Sequence, residues 1–313
     1  MSAVAKVLIL NGVEMERLLG DGSGLIAPLE QALVSYSQGA ASAPPRVAAV
    51  CPRGLLAAMP AYVPGAGLAT KLVSIFPSNR NLPSHQGVVA LFDHEDGRLL
   101  CLMDGRWVTA RRTAAVSAIS VARLRRSGAR VLAILGSGEQ ARAHLDLIGG
   151  PFEEVRVAAR SQDGARRLAG SAPGCTVSAS FQEAVLGADV IIACTAAAEP
   201  VVEFGWLSPG AHVVSVGTGR ELEEEILRRG RLFVEWKGAG SQAPPAGAVE
   251  LQGIELELLT ELGELIQGTR PGREADSQIT VFKSTGLGVE DAAVAADVYR
   301  SAVGRGVGTT LDW

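Results

Sequence analysis

A glycine-rich turn and three scattered cations are the residues of this sequence whose types and spacing could do chemistry. The run LAILGSGEQA sets Gly136-Ser137-Gly138-Glu139-Gln140-Ala141 directly after an apolar strand pattern and ahead of a helical one. That order matches the G-x-G-x-x-[GA] dinucleotide loop. There the first glycine makes a tight turn, the second admits a pyrophosphate to the backbone, and the small last residue packs helix on strand. Amides at the helix start then face the phosphates. NAD binding asks for a carboxylate about twenty residues on, to accept from the ribose 2′-hydroxyl. Here VRVAARS supplies Arg160 and Ser161 and no acid. A guanidinium fork with a neighbouring hydroxyl suits a 2′-phosphate, so NADP(H) is expected over NAD(H); a solvated surface arginine is the plainer alternative.

The cations lie upstream. Arg46 follows Pro44-Pro45 at a strand start, Lys71 interrupts the apolar run LATKLVSIF, and Arg112 heads a small-residue helix in ARRTAA. A lysine inside an apolar run is costly unless it has a partner. Singly, each reads as a surface charge or a structural ion pair. Together they fit a pocket for a small carboxylate facing the nicotinamide.

The elements that must hold these residues fall into two patterns. Lys6–Leu10 reads as a strand, and two helical stretches, Val13–Leu19 and Leu25–Gln38, follow it. From Arg46 to Met103 short alternating runs (47–50, 55–59, 69–75, 87–92, 99–103) are parted by Gly, Pro, Asn and Asp, which predicts an antiparallel sheet of hairpins; Asp96-Gly97 is its clearest turn. A helix is predicted over 107–125. Beyond it, strands alternate with helices as in a parallel, doubly wound sheet. Ala239–Gly247 reads as a Gly/Pro loop, Ile279–Lys283 as the last strand and Val289–Val303 as a final helix. Trp313 is expected to anchor the tail by packing. The fold class is therefore α/β: a Rossmann-type doubly wound parallel sheet over 119–296, with an N-terminal α+β substrate-binding and dimerisation domain from 1–118 and 297–313.

Composition narrows the function. The chain has 313 residues, 33 acidic against 29 basic, and a net charge of −4, which offers no basic field for a nucleic-acid backbone. No apolar run approaches a membrane span, the N-terminus is too short in apolar residues for a signal peptide, and no membrane partner is expected. Four scattered cysteines suit reduced thiols in a cytoplasmic protein and no metal is expected. His94, His144 and His212 read as surface or packing residues.

The chain resembles the ornithine cyclodeaminase/mu-crystallin family along nearly its whole length. The resemblance is carried by PPR (44–46), AAMPAY (57–62), ATKLVSIFPSNRNLPSHQG (69–87), LMDGRWVTARRTAA (102–115), GSGEQA, PGAHVVSVG, TELGELIQG (260–268) and ITVFKSTGLGVEDAAVA (279–295). It implies a homodimer formed through the N-terminal sheet and a small amino or imino acid as substrate. It also implies that Arg46, Lys71 and Arg112 bind the substrate carboxylate and that Ser84 and His85 line the substrate pocket. Thr195 and Ala196 would border the cofactor, with Gly217 nearby, and Phe282, Lys283, Ser284, Thr285 and Gly286 would lie against the nicotinamide.

One departure bears on the activity. Cyclodeaminases of this family carry an aspartate in a loop here reduced to Gly217-Thr218-Gly219-Arg220-Glu221-Leu222. Glu221 reads as a helix-dipole complement in a first turn, or as a substitute acid. Mu-crystallin-like ketimine reductases also lack the aspartate, so the resemblance implies NADPH-dependent reduction of a cyclic ketimine carboxylate. Ornithine cyclodeamination on NAD, alanine-dehydrogenase-like oxidation and a non-catalytic NADPH-linked binding protein stay open at this point.

Overall fold

The computed structural model describes residues 6–195 and 197–313. The chain divides into two compact units, at Arg112 and Leu287, rather than at 118 and 297. The N-terminal unit, completed by the chain from Leu287 onward, holds a seven-stranded sheet. Its strands are β1 (Lys6–Leu10), β2 (Val47–Cys51), β3 (Gly54–Val63), β4 (Gly67–Ile75), β5 (His85–Phe92), β6 (Leu99–Asp104) and β15 (Thr309–Asp312), in the order β15-β1-β6-β5-β4-β3-β2. From β2 to β6 every pairing is antiparallel, as the hairpin punctuation predicts, whereas β1 joins β6 in parallel. The tail is held differently from expectation. β15 pairs antiparallel with β1 through its backbone, and Trp313 is 68% exposed, so it anchors nothing by burial.

Period-two alternation sorts the faces of this sheet. On β3, Ala57, Met59, Ala61 and Val63 are buried while Leu56 and Pro60 face outward. The inner face is covered by α10 (Gly288–Arg305), with α1 (Gly12–Leu19) and α2 (Ile26–Ser37) alongside it. The first turns of α10, Gly288 to Ala296, are mostly small residues and all but fully buried. Gly288 is what lets the helix start this close to β3. A Cβ there would lie 3.0 Å from the Pro60 carbonyl oxygen and 3.1 Å from the Ala61 Cβ.

The central unit, residues 113–286, carries an eight-stranded sheet in which all pairings are parallel. It comprises β7 (Val131–Leu135), β8 (Glu154–Ala158), β9 (Cys175–Val177), β10 (Val190–Ala193), β11 (His212–Val216), β12 (Arg231–Val234), β13 (Leu259–Glu261) and β14 (Thr280–Ser284). The order β13-β12-β14-β11-β10-β7-β8-β9 reverses direction between β7 and β10. Ligand crevices of doubly wound sheets form at the carboxyl ends of strands at such a switch point. The helices are α3 (Gly105–Leu124, which begins in the N-terminal unit), α4 (Glu139–Ile148), α5 (Gln162–Ala169), α6 (Phe181–Val185), α7 (Glu224–Arg229), α8 (Gly238–Ser241) and α9 (Leu262–Gln267). α8 occupies the start of the expected Gly/Pro loop. Among the described residues no helix is long and apolar enough to cross a membrane.

Candidate active site

The two units contribute separate pieces of chemistry. In the central unit the glycine loop leaves β7 at the switch point. Gly136 has φ +125°, and a Cβ on it would come 2.6 Å from the Cys194 carbonyl oxygen at the end of β10, so only glycine fits. Its N–H donates to the Ala158 carbonyl at 2.8 Å. Gly138 is exposed, nothing lies within 4 Å of where its Cβ would be, and no side chain caps α4 behind it. Ala141 is fully buried under the helix. A tight turn, an open approach and an uncapped helix start are the features that a pyrophosphate requires, so the residues present fit a dinucleotide. Ser137 lies against Gly164 of α5, where a side chain would collide with its hydroxyl. Glu139 and Gln140 form the first turn of α4.

After β8, Arg160 is exposed and pairs with no carboxylate among the described residues. Ser161 caps α5, its Oγ accepting from the Gly164 N–H at 3.1 Å, which leaves its own O–H to donate.

Two buried carboxylates organise the same sheet edge, and neither was assigned that role from the sequence. Glu221 is not in a first turn, because α7 begins only at Glu224. Its carboxylate is 1% exposed and accepts from the Thr195 N–H and hydroxyl, both at 2.6 Å, from the Ser215 hydroxyl at 2.7 Å and from the Val216 N–H at 3.1 Å. Burial pushes its pKa up, against the pull of Lys283 and these donors. It is therefore neither a helix-dipole complement nor an acid offered to a ligand; it ties the turn after β10 to the end of β11. Gly217 follows at φ +108°, its N–H on the Ser284 carbonyl at 2.8 Å. Glu235, fully buried, accepts from the Ser284 hydroxyl at 2.5 Å and from the N–H groups of Thr285 and Gly286 at 3.1 and 3.3 Å. Trp236 donates to the Thr285 hydroxyl at 3.0 Å.

The side chains of Phe282, Lys283 and Ser284 are turned into the unit at 0–2% exposure, and Lys283 Nζ lies 2.5 Å from Glu250, 2.8 Å from the Ser215 hydroxyl and 3.3 Å from the Gly219 carbonyl. Thr285 and Gly286 are buried as well, with their N–H groups taken up by Glu235. Ala196 lies outside the described residues. His144 and His212 are packing residues, as read. His144 Nδ1 donates to the Gln140 carbonyl at 2.7 Å, so its Nε2 accepts from the Ser117 hydroxyl at 2.8 Å. His212 bridges Ser120 and Thr280.

In the N-terminal unit the strand register lines up Lys71 on β4 with Met59 on β3 and Val89 on β5. Continuing the β2–β3 pairing one residue back sets Arg46 beside Met59, on the same inner face as Lys71. Lys71 is 2% exposed and Arg112, on α3, 5%. Both meet the acidic start of α10. Lys71 Nζ is 3.0 Å from each Asp291 carboxylate oxygen, and Arg112 Nε is 3.5 Å from Asp291 Oδ1. Glu290 accepts from Arg112 Nη1 at 2.6 Å while its other oxygen caps the helix by accepting from the Leu287 N–H. Burial pushes Lys71 down, Asp291 pulls it back up, and Arg112 and Arg46 push it down again, to about 8.

An ammonium has three N–H donors. Among the described residues Asp291 is the sole partner of Lys71, so the cluster retains donor capacity for an incoming anion. Sequence reading missed Glu290 and Asp291; two adjacent acids opening an alanine-rich helix were the available signal. Ser84 and His85 are hydrogen-bonded to each other at 3.0 Å at the start of β5. The register does not bring them to the cations. His85 pairs with Ile75, four residues along β4 from Lys71, roughly 13 Å of strand.

The profile of the ornithine cyclodeaminase/mu-crystallin family matches residues 4–306. The ketimine reductase mu-crystallin of Mus musculus is 42% identical over 307 residues, covering 93% of this chain and 96% of the relative. Among solved structures, the Thermococcus litoralis Delta(1)-pyrroline-2-carboxylate reductase in complex with NADH and L-proline superimposes with a TM-score of 0.90 at 31% identity, over 96% of this chain and 99% of that one. An archaeal alanine dehydrogenase dimer with bound NAD gives 0.86 at 29% identity, over 99% and 100%.

Proposed function

The chain belongs to the ornithine cyclodeaminase/mu-crystallin family, and we propose that it is an NAD(P)H-dependent reductase of a small cyclic ketimine carboxylate, pyrroline-2-carboxylate or its six-membered homologue. The observation that carries this reading is the buried Lys71–Asp291–Arg112 cluster, in which Lys71 has one carboxylate partner among the described residues and so keeps N–H donor capacity in an apolar interior. A planar carboxylate fits a guanidinium fork and an ammonium held side by side. Arg112 and Lys71 bind the substrate carboxylate, with Arg46 in the same cross-strand row. Lys71 Nζ, or a water it holds, gives the proton that the imine nitrogen takes. A bound nicotinamide supplies the hydride. The glycine loop with α4 would hold its pyrophosphate, and the turns clasped by Glu221 and Glu235 would border it.

Arg160 and the free O–H of Ser161 favour NADP(H) over NAD(H). Cyclodeamination is disfavoured because Glu221 is engaged by four donors and the loop 217–220 brings no other acid. The outward face of the N-terminal sheet, with Val47, Leu56, Leu68 and Leu72 exposed beside a cavity of about 380 Å³, supports a homodimer formed there. Four free thiols suit a cytoplasmic protein.

The test is a matrix of NADPH and NADH against pyrroline-2-carboxylate, its six-membered homologue, ornithine and alanine. NADPH oxidation on the cyclic imines is expected, and Arg112→Ala should cut kcat/KM about a thousandfold with NADPH affinity retained. Proline made from ornithine without added cofactor would establish cyclodeamination instead. Tight NADPH binding with no turnover of any acid would leave a ligand-binding protein.

A further inference from the structure

We propose that Asp291 is the positioning residue for Lys71: its carboxylate, met by the ammonium at 3.0 Å and shared with Arg112, keeps Lys71 cationic at working pH and leaves its remaining N–H for the substrate. This deepens the imine-reductase reading and rests on it. On β4, Lys71 points to the inner face among Ala69, Met59 and Val89. Nothing apolar there favours a charge. The groups that face Lys71 come from three other places in the unit: Arg46 ahead of β2, Arg112 on α3, and Glu290 with Asp291 on α10. Two of these are cations and oppose its charge. Glu290 is taken up by Arg112 and by the helix cap. Asp291 is thus the acid in direct contact with Lys71, and Gly288 lets α10 approach β3 closely enough to deliver it.

The imine carbon takes a hydride from a dihydronicotinamide, which is oxidised, and the imine nitrogen forms its N–H bond with the proton released by Lys71 Nζ. The neutral amine regains a proton from solvent. A lysine held only by desolvation and two neighbouring cations would have lost that proton before the substrate arrived.

The chain has four lysines in all, Lys6, Lys71, Lys237 and Lys283, so Lys71 can be titrated directly by NMR in protein carrying isotope-labelled lysine. In the wild type the Lys71 midpoint and the alkaline limb of kcat/KM for a cyclic imine acid should coincide, near pH 8. In Asp291→Asn both should move to lower pH, by about one unit or more, because the upward pull is gone. Asp291→Glu keeps the charge and should return both towards the wild-type position, and it serves as the test if Asp291→Asn fails to fold. A lysine midpoint unmoved in Asp291→Asn, or displaced downward in Asp291→Glu, overturns the proposal. So does a kcat/KM that falls equally at all pH values with its limb in place, the signature of a merely structural residue. If the wild type reduces no cyclic imine acid, the functional reading fails while the NMR titration still decides whether Asp291 governs Lys71.

Discussion

Lys71 and Lys283 are both buried to within 2% of complete, both lie on strands, and both meet a carboxylate at 3.0 Å or less, yet they are held in opposite ways. Lys283, in the central unit, reaches a carboxylate, a hydroxyl and a carbonyl, three acceptors for three N–H donors. Lys71, in the N-terminal unit, has one carboxylate and two cations for neighbours. A saturated ammonium inside a closed network fixes structure. An unsaturated one among like charges is costly to maintain and is explained by a ligand that completes it. The central unit thus uses buried charge to hold loops, whereas in the N-terminal unit the proposed role of buried charge is to receive an anion.

Exchanging each lysine for methionine breaks this comparison most sharply. Lys71→Met should abolish measurable reduction while NADPH still binds. Lys283→Met should leave the buried Glu250 without its counter-ion, held by the Glu221 and Leu222 N–H groups and the Ser215 hydroxyl, at up to about 3 kcal/mol of stability, and should loosen cofactor binding as a consequence. The double changes separate the roles. Lys283→Met/Glu250→Gln is expected to recover most of the lost stability and activity, whereas Lys71→Met/Asp291→Asn recovers stability alone. Thermal unfolding alongside steady-state kinetics reads both. Recovery of turnover in the Lys71 double variant would erase the distinction.

The clasps of the central unit make a smaller prediction. Glu221→Gln keeps the shape but replaces one acceptor oxygen by an amide NH2 that faces donors, so the turn at Thr195 and the end of β11 lose part of their tie. Cofactor KM should rise by about tenfold or somewhat more with kcat little changed. A fall in kcat alone would mean that Glu221 takes part in the reaction.

How much of this was legible in sequence depends on how local the information is. Gly136, Gly138 and Ala141 announce themselves because turn, approach and packing are set within six residues. Lys71 stood out because a charge interrupts an apolar strand, and Arg112 because it heads a run of alanines. Their partners did not. Asp291 lies 220 residues from Lys71, and Glu290 lies 178 from Arg112. Periodicity places both acids on a helix, and without the tertiary contact a first-turn acid reads as a dipole complement. Glu221 misled for the same reason, since a helix start was expected three residues too early. Ser84 and His85 share a segment with Lys71 in the sequence, but the antiparallel register carries them along the strand instead of beside it. The tail failed on another point: backbone pairing of β15 with β1 holds it, and backbone pairing leaves no side-chain signature.

Arg160 sharpens the comparison from the exposed side. It stands free of carboxylates among the described residues, so its charge is screened and its removal should disturb little else. Arg160→Ala should weaken NADPH binding by about tenfold, near 1.4 kcal/mol, while NADH binding is unchanged. Equal losses for both cofactors would remove the 2′-phosphate assignment.

The smallest effect concerns groups that the central unit keeps neutral. Burial holds His144 down at about 4 and His212, with Arg273 near it, at about 3. Both folded values lie below the ordinary 6.5, so the unfolded chain takes up protons first as the pH drops. Stability is full above about pH 6.5 and is lost as pH falls from there towards pH 4 and then 3. Between pH 7 and pH 6 the loss is below about 1.4 kcal/mol for each histidine, the limiting slope for one proton. Urea unfolding at the two pH values should show it, and His212→Gln, which cannot titrate, should shrink the difference by about half. The Lys71 cluster makes no such contribution in that window, because its lysine is a cation in both states below pH 7. An acid sensitivity that survives replacement of both histidines would therefore have to come from the carboxylates.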